Sequence, residues 1–216
     1  MRSAVDFIRE KQACEEASKS STTSTWLLLG KGPSFDRRRE FDLSSYLTLG
    51  LNHVALLHPA TLNHYTDLDA FLACAKTLVD QGLHTVLPWF PHIDNRPGKV
   101  SLSELSQKIP SLMSLRKKGL LLTYNSTLAR KRKASLPTIR VRLFSAVAGL
   151  NLLAAAGVKK IRSLGIDGGS SYAQGFNRSD LLANGRSNFD SQFEEMRRTV
   201  KRYSLDYRPL VRITAA

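Results

Sequence analysis

Short apolar runs alternate along the chain with longer segments of mixed polarity. Five runs have the length and composition of buried strands: residues 26–29, 46–51, 84–87, 120–123 and 160–166. Four segments have helical character: residues 3–18, 70–79, 143–156 and 193–203. Strands that alternate with helices in this way predict an α/β fold with a mostly parallel sheet flanked by helices.

The length and composition fit one domain with a substantial core. The chain has 216 residues, of which 42% are hydrophobic and 23% are charged, values typical of a globular protein. Residues 19–25 are lysine, serine and threonine. We therefore predict an N-terminal helical extension and polar linker over 1–25 and a single compact domain over 26–216. No run of about 18 apolar residues occurs, and Cys14 and Cys74 stand alone, so a cytoplasmic location is expected.

The formal net charge of +14 is concentrated in the second half of the chain. Residues 1–115 balance 12 basic with 12 acidic side chains, whereas residues 116–142 hold nine basic and no acidic side chains. This surplus indicates an anionic partner, and nucleic acid, an anionic membrane and phosphorylated small molecules all qualify.

Polar and small residues gather where the predicted strands end, which is where open parallel sheets bind ligands. Gly30 and Gly32 would let the backbone approach a phosphate, and Ser34 could cap the next helix. The competing interpretation is a plain β–α turn. The run is not the dinucleotide fingerprint, because residue 35 is phenylalanine, and it is not a Walker A loop. Asp167, at the end of the last predicted strand, would be costly unless it binds a partner.

A metal site has one candidate pair. Asp67 and Asp69 are two residues apart and could both face one cation at a strand end. The competing interpretation is an exposed pair in a surface loop. The five histidines form no zinc-binding pattern, and the G-x-S-x-G motif of serine hydrolases does not occur.

In their order along the chain, these motifs resemble the bacterial sialyltransferases of glycosyltransferase family 42. The run L-L-L-G-K-G-P-S-F at 27–35 is similar to that family's first strand and G-N-G-P-S-L turn. Residues 144–147, 157–161 and 165–167 resemble its T-S-G-V helix, its G-Y-K-E-I turn and its strand ending in G-I-D, and residues 170–173 resemble its next segment. The resemblance extends over about residues 26–203. Pterin-pyrophosphokinase-like proteins share the G-x-G-P-S turn.

The resemblance implies a single Rossmann-like domain of the GT-A-variant type. Such a protein binds a CMP-activated acidic sugar of the sialic acid type and transfers it to a glycan acceptor, with no metal ion or other cofactor required. The resemblance implies that the following residues contact the nucleotide: Gly30, Gly32, Pro33, Ser34, Asn52, Asp67, Ser145, Gly165, Asp167, Ser170 and Ser171. Tyr172 would donate its hydroxyl to the leaving phosphate, which is the work of a metal in other transferases.

The chain departs from the family at three positions. Lys31 replaces an asparagine of the turn, and Asp67 stands where another nucleotide-binding asparagine is expected. The family's catalytic base is a histidine after the Ser-Ser-Tyr segment, but the last histidine here is His92. Arg186 or Ser187 occupies the corresponding place, and a guanidinium cannot act as a base at neutral pH. The base therefore stays unassigned.

A basic run within the charged segment is the candidate contact for an anionic acceptor or surface. It consists of Arg130, Lys131, Arg132 and Lys133. A glycan acceptor, a lipid-linked acceptor or peripheral membrane contact would each use it, and a solvated loop is the competing interpretation. Nucleic acid ranks lower, because Tyr124 is the one aromatic residue within 116–142. Two alternatives to a sugar transferase remain: a Mg²⁺-dependent pyrophosphokinase-like enzyme using Asp67 and Asp69, and a non-enzymatic protein that binds nucleic acid or a membrane.

Overall fold

A parallel sheet runs through the centre of the protein, in a computed structural model that describes residues 1–18, 24–141, 144–176 and 188–211. Its strands are β1 (Arg2–Ser3), β2 (Thr25–Leu29), β3 (Leu47–Leu51), β4 (Leu62–His64), β5 (Thr85–Pro88), β8 (Leu121–Ser126), β9 (Thr138–Ile139), β10 (Lys160–Leu164) and β11 (Asp206–Pro209). β6 (His92–Ile93) and β7 (Arg96–Pro97) form a separate antiparallel hairpin. The predicted α/β class with a mostly parallel sheet is confirmed.

The strand order places β2 at the point where the chain changes direction across the sheet. The order is β1-β8-β5-β4-β3-β2-β10-β11, with β9 also paired to β8. The chain moves from β2 outward through β3, β4, β5 and β8, and later returns to the other side of β2 with β10. Ligands of open parallel sheets bind at the carboxyl ends of strands near such a change of direction, so the residues that follow β2, β3 and β10 are the ones to examine.

Helices cover both faces of the sheet. They are α1 (Ala4–Ser18), α2 (Leu68–Asp80), α3 (Leu102–Lys108), α4 (Pro110–Lys117), α5 (Ser145–Ala155) and α6 (Gln192–Tyr203). The main core cluster holds side chains of α1, α5 and α6 with the sheet, and a second cluster holds those of α2, α3 and α4. Helix α5 is buried along eight consecutive residues from Ala146 to Leu153, which explains its run of small apolar side chains. Among the described residues, no helix is long and apolar enough to cross a membrane.

The N-terminal residues belong to the same sheet and core, which differs from the expected start of the compact domain at Trp26. β1 pairs in parallel with β8. Val5, Phe7 and Ile8 of α1 are buried in the main core cluster. The reason is that these few apolar side chains share the buried face of an otherwise polar helix, and this suffices to dock it on α5. Residues 19–23, most of the expected linker, lie outside the described residues.

Candidate functional site

A cavity of about 240 Å³ opens at the carboxyl ends of β2, β3 and β10. Its wall comes from chain segments that are far apart in sequence. They include the turn after β2, the residues after β3, the first turns of α2 and α5, the loop after β10, and the tip of the β6–β7 hairpin at Asn95. Of the predicted nucleotide-binding residues, the lining contains Gly30, Gly32, Asn52, Asp67, Ser145, Gly165, Asp167 and Ser171, and it also contains Tyr172.

The glycines of the first turn let two strands end side by side. The Gly30 amide donates to the Leu164 carbonyl at 2.8 Å, and the Gly32 amide donates to the Gly165 carbonyl at 2.8 Å. A Cβ on Gly30 would lie 2.3 Å from the Gly165 oxygen. Gly165 itself has a φ of 75°, a conformation that strongly favours glycine. Both amides thus bond to the end of β10, and the two backbones form one continuous floor for the cavity.

Hydrogen bonds of Ser34 with Asp167 and Gly165 connect the two turns that form this floor. The Asp167 carboxylate accepts from the Ser34 amide at 2.7 Å and from the Ser34 hydroxyl at 2.6 Å. The same hydroxyl accepts from the Gly165 amide at 2.8 Å. Pro33 starts the following 3₁₀ helix, so Asp167 also supplies a negative charge at the amino end of that helix. This is the partner that Asp167 was expected to need, and it is a neighbouring turn of the protein.

Asn52 and Ser145 are in direct contact at the wall of the cavity. The Asn52 amide donates to the Ser145 hydroxyl at 3.0 Å. Asn52 has a φ of 50°, which asparagine tolerates better than most residues. Ser145 is the first residue of α5, and helix amino ends attract anions through their unpaired amides. The pair therefore joins a hydrogen-bonding side chain after β3 to a helix amino end.

Lys31 and His53 form a second polar pair that the sequence did not predict. Lys31 Nζ lies 3.2 Å from His53 Nδ1 and 4.5 Å from the ring centroid of Tyr172. Burial lowers the pKa of Lys31 to about 8, so the ammonium is charged at pH 7 in a poorly hydrated place. The only signal in the sequence was the position of Lys31 between two glycines.

The loop after β10 brings Tyr172 to the cavity. The Ala173 amide donates to the Lys31 carbonyl at 2.8 Å, and the Phe189 amide donates to the Gly169 carbonyl at 2.9 Å. The Tyr172 and Phe189 rings meet edge-on at 5.7 Å. Ser171 lines the cavity, whereas Ser170 is exposed and is not part of the lining. Arg186 and Ser187 lie outside the described residues.

Two carboxylates stand at the side of the cavity formed by α2. Asp67 precedes the helix and Asp69 lies in its first turn. Asp67 Oδ1 is 3.9 Å from His92 Nδ1, and burial lowers the pKa of His92 to about 4, which keeps the imidazole neutral. Among the described residues, no group of three or more His, Cys, Asp or Glu side chains could hold a metal ion.

A buried polar pair lies next to this side of the cavity. His64 Nε2 is 2.8 Å from the Tyr124 hydroxyl, and both side chains are fully buried. Burial lowers the pKa of His64 to about 3, so this imidazole is neutral. Burial also raises the pKa of Cys74 to about 11, so its thiol keeps its proton. The His64 imidazole and the Cys74 thiol are both buried, so neither is exposed to solvent as a reactive side chain.

The basic run belongs to a loop, residues 127–137, that leaves the carboxyl end of β8. We refer to it as the basic loop. Asn125 holds it from within: its side-chain amide donates to the carbonyls of Lys133 and Leu136 at 2.8 and 2.9 Å. Lys133 Nζ lies 4.8 Å from the Trp89 ring centroid. The three remaining basic side chains of the run, Arg130, Lys131 and Arg132, are exposed. The basic loop therefore rises from the same edge of the sheet as the cavity.

Comparison with known proteins gives a fold relationship. No protein-family model matches the chain, and no curated protein matches it in sequence. Among solved structures, the chain is similar to the sialyltransferase CST-II in complex with a trisaccharide acceptor and CMP. The TM-score is 0.52 at 15% identity, over 87% of this chain and 81% of that one. The α/β fold of this protein is therefore shared with a sialyltransferase.

Proposed function

We propose that this protein is a glycosyltransferase that binds a CMP-activated acidic sugar in the strand-end cavity and transfers the sugar to a glycan acceptor. The observation that carries the proposal is the Asn52–Ser145 hydrogen bond across the cavity. These two residues come from segments 93 positions apart and were assigned to the nucleotide from a motif resemblance alone. The structural neighbour supports the same chemistry, since that protein is in complex with CMP and a trisaccharide acceptor.

In this proposal, Asn52 and Ser145 bind the nucleotide, and the Tyr172 hydroxyl donates to the phosphate that leaves with it. The negative charge that develops on the phosphate is stabilised by a donor already in place, without reorganisation during the reaction. Gly30, Gly32, Ser34, Gly165 and Asp167 shape the floor, because their polar groups bond to one another.

Calorimetric titration with CMP, set against UMP and AMP, tests the donor. We expect CMP to bind most tightly and Ser145→Ala to weaken its binding about fivefold to tenfold, since one hydrogen bond is lost. Ser114→Ala, on α4 outside the cavity lining, is the matched control and should bind CMP as the wild type does. Heat with another nucleotide but not with CMP would overturn the donor assignment.

Turnover is tested separately from binding. Hydrolysis or transfer from a CMP-activated sialic acid should release CMP. Tyr172→Phe should slow that release by a larger factor than it weakens CMP binding, because the hydrogen bond to the phosphate strengthens as charge develops in the transition state. A wild-type protein that binds CMP but releases none from the sugar nucleotide with any glycan offered would reduce the proposal to a binding function.

The basic loop is proposed as the surface that binds the glycan acceptor. Its exposed guanidinium and ammonium groups would attract an acidic glycan or a lipid-linked acceptor through charge that salt screens. The triple variant R130Q/K131Q/R132Q should raise the KM for an anionic acceptor and leave CMP affinity unchanged. An unchanged KM, or tight salt-dependent binding to mixed-sequence DNA without any nucleotide binding, would refute this assignment.

A further inference from the structure

We propose that Lys31 is the phosphate-binding cation of the cavity, a role that rests on the proposed nucleotide-binding function. Lys31 is the one lysine or arginine among the described residues that line the cavity. Neither the motif resemblance nor the structural neighbour assigns this residue, because the family's turn carries an asparagine there.

The backbone of Lys31 is held in place on both sides. Its two neighbours, Gly30 and Gly32, donate their amides to the end of β10, and its own carbonyl accepts from the Ala173 amide at 2.8 Å. The side chain therefore starts from a fixed point between β2 and the loop that carries Tyr172. A cation on such a base is positioned before a ligand arrives, so little ordering is needed on binding.

The ammonium lies over the ring of Tyr172. Its Nζ is 4.5 Å from the Tyr172 ring centroid, and Tyr172 is the residue proposed to donate to that phosphate. The second near contact is His53 Nδ1 at 3.2 Å. A phosphate oxygen placed between Lys31 and Tyr172 would receive one charged and one neutral hydrogen bond, and charge-assisted bonds of this kind are the stronger ones.

The carboxylate of Asp167, which lies beside the glycine turn, is already engaged. Asp167 accepts two hydrogen bonds from Ser34, so its charge is directed at the 3₁₀ helix that follows the turn. Burial lowers the pKa of Lys31 to about 8. A bound phosphate would raise that pKa again, because an opposite charge favours the ammonium form.

This predicts a specific pH dependence. The titratable groups around Lys31 come from three parts of the chain. They are His53 after β3, Asp67 before α2 with Asp69 and Cys74 on that helix, and Asp167 and Tyr172 in the loop after β10. Between pH 7 and 9, Lys31 loses its proton, whereas the Cys74 thiol keeps its own because its pKa is about 11. Affinity for a phosphate-bearing ligand should therefore fall over this range, and affinity for the same ligand without phosphate should not.

The experiment compares CMP with cytidine by calorimetry, on wild type, Lys31→Met and Lys31→Arg. We expect Lys31→Met to weaken CMP about tenfold or more and to leave cytidine within about twofold, since a charged hydrogen bond is lost from CMP alone. Wild-type affinity for CMP should fall between pH 7 and 9. Lys31→Arg keeps its charge throughout and should show no such fall. Lys117→Met, on the exposed surface of α4, removes the same charge as a control.

Two outcomes overturn the role of Lys31: equal losses of CMP and cytidine affinity in Lys31→Met, or CMP affinity equal to that of the wild type. Failure of the proposed function has a different signature, since wild type would then prefer another nucleotide over CMP. The same comparison, made with that nucleotide and its nucleoside, then tests Lys31 on its own. Binding of no nucleotide at all would overturn both.

Discussion

Replacing Lys31 with methionine should stabilise the protein at neutral pH while weakening its affinity for a phosphate-bearing ligand. Methionine fills nearly the same volume without a charge, so the packing of the aliphatic stem is kept. The pKa of Lys31 falls from its ordinary value of 10.5 to about 8 because the side chain is buried. At about 1.36 kcal/mol for each pKa unit, keeping the buried ammonium charged costs the folded state up to about 3 kcal/mol. The cost is smaller to the extent that the side chain still touches water.

The sign of the pH dependence follows from proton binding in the two states. Between pH 8 and 10.5 the unfolded chain keeps the Lys31 proton and the folded protein releases it, so wild-type stability rises with pH in this window. The advantage of Lys31→Met should therefore be full below pH 8 and disappear towards pH 10.5. Urea unfolding of both proteins at pH 7, 8, 9 and 10 measures this difference directly.

Lys117→Met provides the baseline for that experiment. Lys117 is exposed on α4, so its replacement should change the unfolding free energy by less than about 0.5 kcal/mol at every pH. A Lys31→Met protein less stable than wild type at pH 7 would refute the reasoning. A gain that stays constant from pH 7 to 10 would also refute it, because the effect would then come from packing and not from charge.

Three further substitutions probe the floor of the cavity and the basic loop. Gly30→Ala should lower the unfolding free energy by about 2–4 kcal/mol, because the new Cβ would lie 2.3 Å from the Gly165 oxygen. Urea unfolding measures this loss. A loss below about 1 kcal/mol would contradict the close approach of the two backbones at this turn. Ser34→Ala should lower the unfolding free energy by about 2 kcal/mol in the same assay, because Asp167 loses a donor and the Gly165 amide loses its acceptor. Stability close to that of the wild type would contradict the stabilising role of these hydrogen bonds. Asn125→Ala should speed tryptic cleavage in the basic loop, since this side chain makes three hydrogen bonds to the loop backbone. The increase in cleavage rate should be larger than the loss of global stability, measured by urea unfolding, would produce. An unchanged cleavage rate would show that other contacts hold the loop.

Much of the sheet could be predicted because its strands are buried on both faces. Such strands appear in the sequence as continuous apolar runs, and the run at 26–29 corresponds to β2, Thr25–Leu29. Shorter strands gave no such pattern. β4 covers only Leu62–His64, and β11 reads Asp-Tyr-Arg-Pro, which is polar because it lies at the edge of the sheet. Helix α3 was also missed, although its capping box of Ser101 and Glu104 was visible in the sequence.

The edge of the sheet at which the cavity lies could be predicted from the sequence, but the hydrogen-bond partners of the residues that line it could not. Parallel strands end at the same edge, which was enough to bring Asn52 and Ser145 together. The engagement of Asp167 by Ser34 depends on a pairing between residues 133 positions apart, and no local pattern encodes it. The contact between Lys31 and His53 likewise spans two strand ends. It depends on the distance between the loops, which only the folded sheet determines.

The place of β2 between β3 and β10 has a consequence for how the chain reaches its fold. β3 follows β2 almost at once, but β10 begins only at Lys160. During synthesis from the N-terminus, one edge of the apolar strand Thr25–Leu29 therefore stays unpaired while about 130 further residues are added, until β10 is available to pair with it. An open, apolar strand edge is a template for pairing with another chain, and a contact of such long sequence separation forms slowly. Fragments that end before β10 should consequently aggregate, and refolding of the whole chain should depend on protein concentration until the last strands close the sheet.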